Sequence, residues 1–452
     1  MATAAADRPT LEPPGPGRRG SLRLIGARRR DPLGMFAGLR DEYGPVVGFR
    51  MGPLEMLLVT EPDLVGEVFT THAARLRKGR ILEGARVLLG DGLLTAEGEH
   101  HRRQRRLIQP AFHRERLDGY ARVMSRRAAE AADGWADGAV VDVFAEMSAL
   151  TMGVVGEALF GAEVGEDFER VQEALVDVFR AFDLLVLPFA GVRMRLPTRT
   201  VRRFAAARAD LERIVDRVIA ERRADGRDRG DLLSMLLAAQ DADDGGGMTD
   251  EEVRHEVMTL FAAGLETTAN ALTFSWHLLS RHPEADERLR AEALALDADL
   301  PGLDDVARLP FAEAVLQEAM RLYPPAWMIA RRCVEAFRLG DYTVAEGTLV
   351  MTPPYLLHRD PRFWPEPDRF DPGRWLDGGG APPHRYSYLP FGAGTRKCIG
   401  ATFAMVEGTL VLAVIARRAR LEEVAGAPLG LAPQITLRPR GAVPMRVVRL
   451  SS

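Results

Sequence analysis

Cysteine is scarce: the 452 residues hold two, Cys333 and Cys398. Two thiols are too few for a disulfide framework, a four-cysteine zinc site or a cysteine-ligated iron–sulfur cluster within this chain. They fit a reducing compartment, so the sequence predicts a cytoplasmic protein. Long apolar runs are missing too. No stretch of about twenty apolar residues occurs, and Met1–Arg19 is polar and Pro-rich, without the apolar core of a signal peptide. That predicts neither secretion nor a membrane anchor. An excess of one charge is also lacking: the net charge is −4, which speaks against a general nucleic-acid partner. The length would suit about three domains, yet no Gly/Ser linker and no repeat divides it. The sequence therefore predicts one large unit over residues 31–452 behind a flexible Pro-rich lead, 1–30. With 46% hydrophobic residues it can bury a substantial core and an internal cavity.

The segment Phe391-Gly-Ala-Gly-Thr-Arg-Lys-Cys-Ile-Gly400 sets Cys398 in a Gly-rich turn ahead of a helix-forming run. Backbone N–H groups in such a turn and the helix N-terminus both favour thiolate. Arg396 offers a guanidinium suited to a carboxylate on the same ligand. A lone thiolate beside a carboxylate-binding arginine points to haem with sulfur on the iron. Read alone, a cysteine such as Cys398 is more often a buried structural one.

Along the chain, Val46–Met51 and Glu55–Val59 flank Gly52-Pro53 as a β-hairpin. Helical patterns cover about 61–72, 99–112, 115–137, 142–160, 165–187 and 198–224. An acidic Gly-rich loop spans 241–247. Thr249-Asp-Glu-Glu252 then starts a long helix that runs to about Ser280. Further helices fall at about 283–295, 309–323 and from Cys398 to 417, with short strands near 328–352 and 434–449. The class is mainly α with a small β portion.

With the pattern Phe-x-x-Gly-x-Arg-x-Cys-x-Gly on the page, the chain resembles the cytochrome P450 family, from about Asp31 onward. A second motif agrees: Ala263-Gly264-Leu265-Glu266-Thr267-Thr268, inside the long helix, resembles the family's oxygen-activation segment. Ala263 and Gly264 lack bulk, so a ligand could approach the backbone. Thr267 could tie its hydroxyl to a backbone carbonyl or a bound oxygen, and Glu266 could supply protons. Alone, the segment is also readable as a helix with a Gly bend and two ordinary threonines. Third, Glu318-Ala-Met-Arg321 and Phe370-Asp-Pro-Gly-Arg374 resemble a structural lock, with Glu318 bridging Arg321 and Arg374. Fourth, His101 and Arg105, i and i+4 on one helical face, match the family's haem-propionate ligands, with His in place of the commoner Trp. Arg332 matches a further one, with Arg331 beside it leaving the register open. His358 recurs in the family as a structural position and is no candidate for the iron. Cys333 reads as core packing.

The resemblance implies haem b between the long central helix and the cysteine loop with its following helix. Cys398 is then the axial ligand. Phe391, Gly392, Arg396, Ala263 and Gly264 lie against the cofactor, beside His101, Arg105 and Arg332. It implies pocket walls at Leu88, Leu89, Phe261, Ala262, Trp327 and Met328, with Leu184 to Phe189 as a lid. On the segment before Gly90, Glu83 and Arg86 would turn out while Val87, Leu88 and Leu89 turn in. The expected activity is a soluble, monomeric monooxygenase that inserts one oxygen atom from O2 into a hydrophobic small molecule, by C–H hydroxylation or epoxidation. A terpenoid, fatty acyl chain or polyketide of specialised metabolism would suit it. No flavin or ferredoxin domain is visible, so electrons would come from a separate ferredoxin with its reductase, or a flavodoxin. An acidic ferredoxin would dock near Arg102, Arg103, Arg106 and Lys397. An oxidase of the same family doing coupling or desaturation shares every motif. A non-catalytic haem-thiolate sensor would not need Glu266-Thr267, and family peroxygenases replace that pair.

Overall fold

The computed structural model describes residues 11–161, 174, 196, 198–240, 245–376, 382–426 and 429–450. The predicted helix at 165–187 and the lid at 184–189 lie outside them, as does most of the acidic loop's start. The chain forms two interleaved units. The first gathers residues 1–80, 321–369 and 378–398, the second 81–320, 370–377 and 399–452.

The first unit is built on a mixed five-stranded sheet. Its order is Val46–Met51, Leu54–Val59, Leu349–Thr352, Ile329–Cys333, Leu76–Lys78. The expected hairpin is there, with Val46 opposite Val59 and Met51 opposite Leu54. Gly52 turns it at φ +60, a conformation that favours glycine. One face of the sheet buries Val46, Leu57, Val59, Cys333 and Val350 against Val65, Val68 and Phe69 of helix Pro62–Phe69. The lead departs from expectation. Residues 17–30 are helical, Gly48 N–H donates to Pro14 O (2.8 Å), and Arg50 N–H donates to the Ser21 hydroxyl (3.2 Å). Strand Val46–Met51 is a sheet edge whose backbone groups need partners, and the Pro-rich segment supplies them.

The second unit is helical. Its axis is Asp250–Ser280, 31 residues and so about 46 Å long. The expected cap is complete: Thr249 Oγ1 accepts from Glu252 N–H (3.2 Å) and Glu252 accepts from Thr249 N–H (2.9 Å). Helices Val143–Phe160, Arg199–Asp225 and Leu232–Ala238 pack on it, and Arg114–Asp133 packs on Ala401–Arg418. Helices Arg80–Leu89 and Leu232–Ala238 were not foreseen; both are short apolar stretches whose period is ambiguous in sequence.

Helix Pro310–Leu322 carries Glu318 and Arg321, both fully buried. Glu318 Oε1 accepts from Asp371 N–H (3.0 Å) and lies 3.4 Å from Arg374 Nε, and its Oε2 accepts from Trp375 Nε1–H (3.0 Å). The guanidinium of Arg321 donates to the carbonyls of His358 (2.9 Å), Pro367 (2.6 Å) and Arg369 (2.9 Å). Each charge thus folds an irregular stretch onto itself. Arg321→Ala leaves three carbonyls short of a donor in a buried setting, at a cost on the order of 3–5 kcal/mol. Against a typical stability of about 5–15 kcal/mol this should leave little soluble protein. Normal yield with an unshifted unfolding midpoint would show that the arginine is superficial.

Candidate functional site

In the first unit the site is the turn that ends at Cys398. Gly392 and Gly394 both adopt φ +67. A Cβ on Gly394 would come within 2.0 Å of the Phe69 carbonyl oxygen, so no other residue fits. Cys398 N–H donates to Phe391 O (2.9 Å), and Gly394–Arg396 is a 3-10 turn between them. Phe391 and Arg396 are half-buried. His358 pins the approach: its Nε2 accepts the Leu389 N–H at 2.7 Å. That lone pair is engaged, which agrees with a structural role. The two cysteines differ sharply. Cys333 is buried, donates to Glu335 O (3.1 Å), and has its thiol pKa pushed up by burial, whereas Cys398 is exposed.

Strand Ile329–Cys333 bears on the arginine register. Successive side chains alternate across a strand. Ile329 and Cys333 belong to the core face, so Arg331 shares it and Arg332 takes the other. The Arg331 guanidinium stacks 5.9 Å from the Phe69 ring, and Ile329 lies beside Gly392. The structure brings Arg331, rather than Arg332, to the side of the cysteine turn. Trp327 turns its ring to Phe36 (6.3 Å), and Met328 is half-buried.

In the second unit the site is the middle of the central helix. Ala263 is exposed although Phe261, Leu265 and Thr268 around it are buried. Four residues on, Thr267 Oγ1 donates to Ala263 O at 2.7 Å, the expected tie. One strip of the helix is thus open, floored by a methyl group and edged by a hydroxyl. Gly264, the next residue, is partly buried. A Cβ there would sit 3.0 Å from Val155, so this glycine lets helix Val143–Phe160 approach. The same contact brings the buried Thr151 hydroxyl to Leu265 O (3.1 Å). Glu266 accepts from Thr436 Oγ1 at 2.6 Å, and Arg438 lies 3.8 Å away.

Helix Gly98–Ile108 presents His101, 5% exposed, and the half-buried Arg105. It is tethered to the central helix: Arg103 (3.0 Å) and Gln104 (2.8 Å) both donate to Glu252. Arg103 is therefore engaged within the fold, and Arg102 pairs with Glu99, which weakens the predicted docking cluster. Leu89 and Phe261, expected as pocket walls, are packed in one apolar cluster, with Ala262 partly buried against it. Val87 turns out, 50% exposed, against expectation. On helix Arg80–Leu89 it stands one turn from the exposed Glu83, while Leu89 follows the buried Ala85. The Leu88 side chain lies outside the described residues.

One group escaped the sequence reading. Glu407, on helix Ala401–Arg418, is fully buried beside the Thr268 hydroxyl, with no hydrogen bond of good geometry to either carboxylate oxygen among the described residues. An acid between Val406 and Gly408-Thr409-Leu410 was the available signal. Burial raises its pKa from the ordinary 4.5 to about 8. Between those values the folded state keeps a proton that the unfolded chain releases, so stability falls as pH rises. Glu407→Gln removes that slope. Its stability advantage over the parent should grow from about pH 5 to about pH 8, by up to about 1.4 kcal/mol per pH unit. Parallel denaturation curves across that window would place the acid in contact with water.

Comparison with known proteins agrees with this geometry. The Cytochrome P450 family model matches residues 13–440. Cyclooctatin synthase of Streptomyces melanosporofaciens is 42% identical over 422 residues, 93% of this chain and 91% of that protein. Pentalenene oxygenase of Streptomyces avermitilis is 37% identical over 389 residues, 85% of this chain and 86% of that one. The crystal structure of the cytochrome P450DA haem domain superposes with a TM-score of 0.87 at 28% identity, covering 98% of this chain and 100% of that chain. No helix among the described residues is long and apolar enough to cross a membrane. The chain belongs to the cytochrome P450 family, the haem-thiolate monooxygenases, and holds haem through a cysteine thiolate.

Proposed function

We propose that this monooxygenase oxidises an apolar terpenoid, by hydroxylation or epoxidation, with Cys398 on the iron and with Glu266 and Thr267 handling protons. The observation that carries the chemistry is the open strip of the central helix, Ala263 with the Thr267 hydroxyl above it and an acid next in sequence. The residues fit haem. Cys398 is the accessible thiol of the two, on a turn whose backbone admits only glycine at 394. Haem, when bound, supplies the activation of O2 and the transfer of one oxygen atom to substrate. The protein must deliver two protons, because the second oxygen leaves as water with two electrons from a separate donor.

Thr267 holds its hydroxyl on the open strip by donating to Ala263 O, where its oxygen can accept a hydrogen bond and, on turning from that carbonyl, the hydroxyl can pass a proton outward. Glu266 is the nearby acid that can replenish it. Arg331, His101 and Arg105 are the donors we assign to the haem carboxylates, the arginines as cations and His101 through a ring N–H. Arg331 takes the place expected of Arg332, on the strand alternation given above. The substrate class rests on the names of two relatives, a cyclooctat-9-en-7-ol 5-monooxygenase and a pentalenene oxygenase. A ferredoxin and its reductase, or a flavodoxin, is the electron source that fits a chain of this kind, and a cytoplasmic location follows from that supply.

Cyclic terpene hydrocarbons and their mono-alcohols should shift the haem spectrum on binding, where fatty acids and polyketides of similar size should not. The reverse ranking would remove the substrate class and leave the enzyme class intact. Cys398→Ser should abolish the red-shifted Soret band of the reduced carbon-monoxide complex, and a retained band would refute the ligand assignment. Thr267→Ala should consume NADPH with more peroxide and less product. Unchanged coupling would take this hydroxyl out of the proton path.

A further inference from the structure

The hairpin of strands Leu431–Pro433 and Leu437–Pro439 has no part in the chemistry above. Its register sets Leu431 opposite Pro439 and Pro433 opposite Leu437, leaving Gln434, Ile435 and Thr436 as the turn. Gln434 N–H closes that turn on Thr436 O at 3.0 Å. Ile435 lies partly buried against the apolar cluster that contains Phe261 and Leu265. Thr436 reaches the central helix. Its hydroxyl donates to Glu266 Oε1 at 2.6 Å and accepts from Asn270 Nδ2 at 3.4 Å. Asn270 is fully buried, one helical turn beyond Glu266. Arg438 Nη1 stands 3.8 Å from the same Oε1.

These contacts have a direction. The Asn270 amide occupies the acceptor side of the Thr436 hydroxyl, so the hydroxyl's single proton points to Glu266. Arg438 Nη1 faces the same oxygen, so in this pose Glu266 is held as an acceptor by both hairpin side chains. To pass a proton on, Glu266 must turn away from Thr436 and take one up. We propose that Thr436 and Arg438 are positioning residues that latch Glu266 in a resting pose, and that an apolar substrate displacing Ile435 opens the latch. The inference rests on the reading that Glu266 supplies protons. Its consequence is economy of electrons: without substrate, proton supply stays shut and oxygen is reduced slowly.

The test uses the haem-loaded protein with NADPH, a plant-type ferredoxin and its reductase, and no substrate. Thr436→Val and Arg438→Gln should each consume oxygen several-fold faster than the parent, while Thr436→Ser stays near it. Adding Glu266→Gln to Thr436→Val should return the rate to the parent's. Thermal unfolding gives a readout independent of turnover. Thr436→Val and Glu266→Ala both remove the Thr436–Glu266 bond, so their double variant should unfold no earlier than the less stable single variant. Parent-like oxygen use in both hairpin variants, or additive shifts in unfolding, would overturn the latch. If those variants leak oxygen and Glu266→Gln does not suppress it, the fault lies in the proton role of Glu266, and the latch falls with it.

Discussion

Two opposite charges one turn apart, neither reached by water, carry much of the architecture. Glu318 gathers Asp371, Arg374 and Trp375, and Arg321 gathers the carbonyls of His358, Pro367 and Arg369. Such groups are costly to bury, and the irregular segments they hold have no sheet or helix ladder to satisfy their own backbone. A helix supplies rigid anchors that the segments lack. The stretch ahead of the cysteine turn is fixed in a related way. There a buried imidazole takes a main-chain N–H, and a glycine accepts a carbonyl at a distance no side chain would allow.

The middle of the central helix divides its labour among small residues. Gly264 admits the neighbouring helix through Val155, and Ala263 leaves the other side open. Adjacent positions on a helix point about 100° apart, so two small residues in a row can serve two surfaces. Bulk is withheld at Gly264 for packing, and at Ala263 the helix face stays open.

The parts legible in the sequence are those whose cause is local. The Thr249–Glu252 cap, the Gly52 turn, the Gly394–Cys398 turn and the tie from Thr267 to Ala263 all follow from residues a few positions apart. The helix at 17–30 was missed because its reason for order is distant, on strand Val46–Met51. The choice between Arg331 and Arg332 needed the strand's alternation, and the role of Gly264 needed Val155. Neither neighbour can be found by reading outward from the motif. Thr436 is the extreme case: 170 positions separate it from the acid it holds.

The carboxylate of Glu252 does more than close a capping box. The same side chain takes Arg103 and Gln104 from helix Gly98–Ile108, which also bears His101 and Arg105. Every atom in that tether belongs to the protein. The placement of helix Gly98–Ile108, and with it of His101 and Arg105, is therefore set by the fold. If His101 and Arg105 hold the haem carboxylates as proposed, less affinity is lost to ordering that site, and the first turn of the central helix becomes part of the cofactor's affinity.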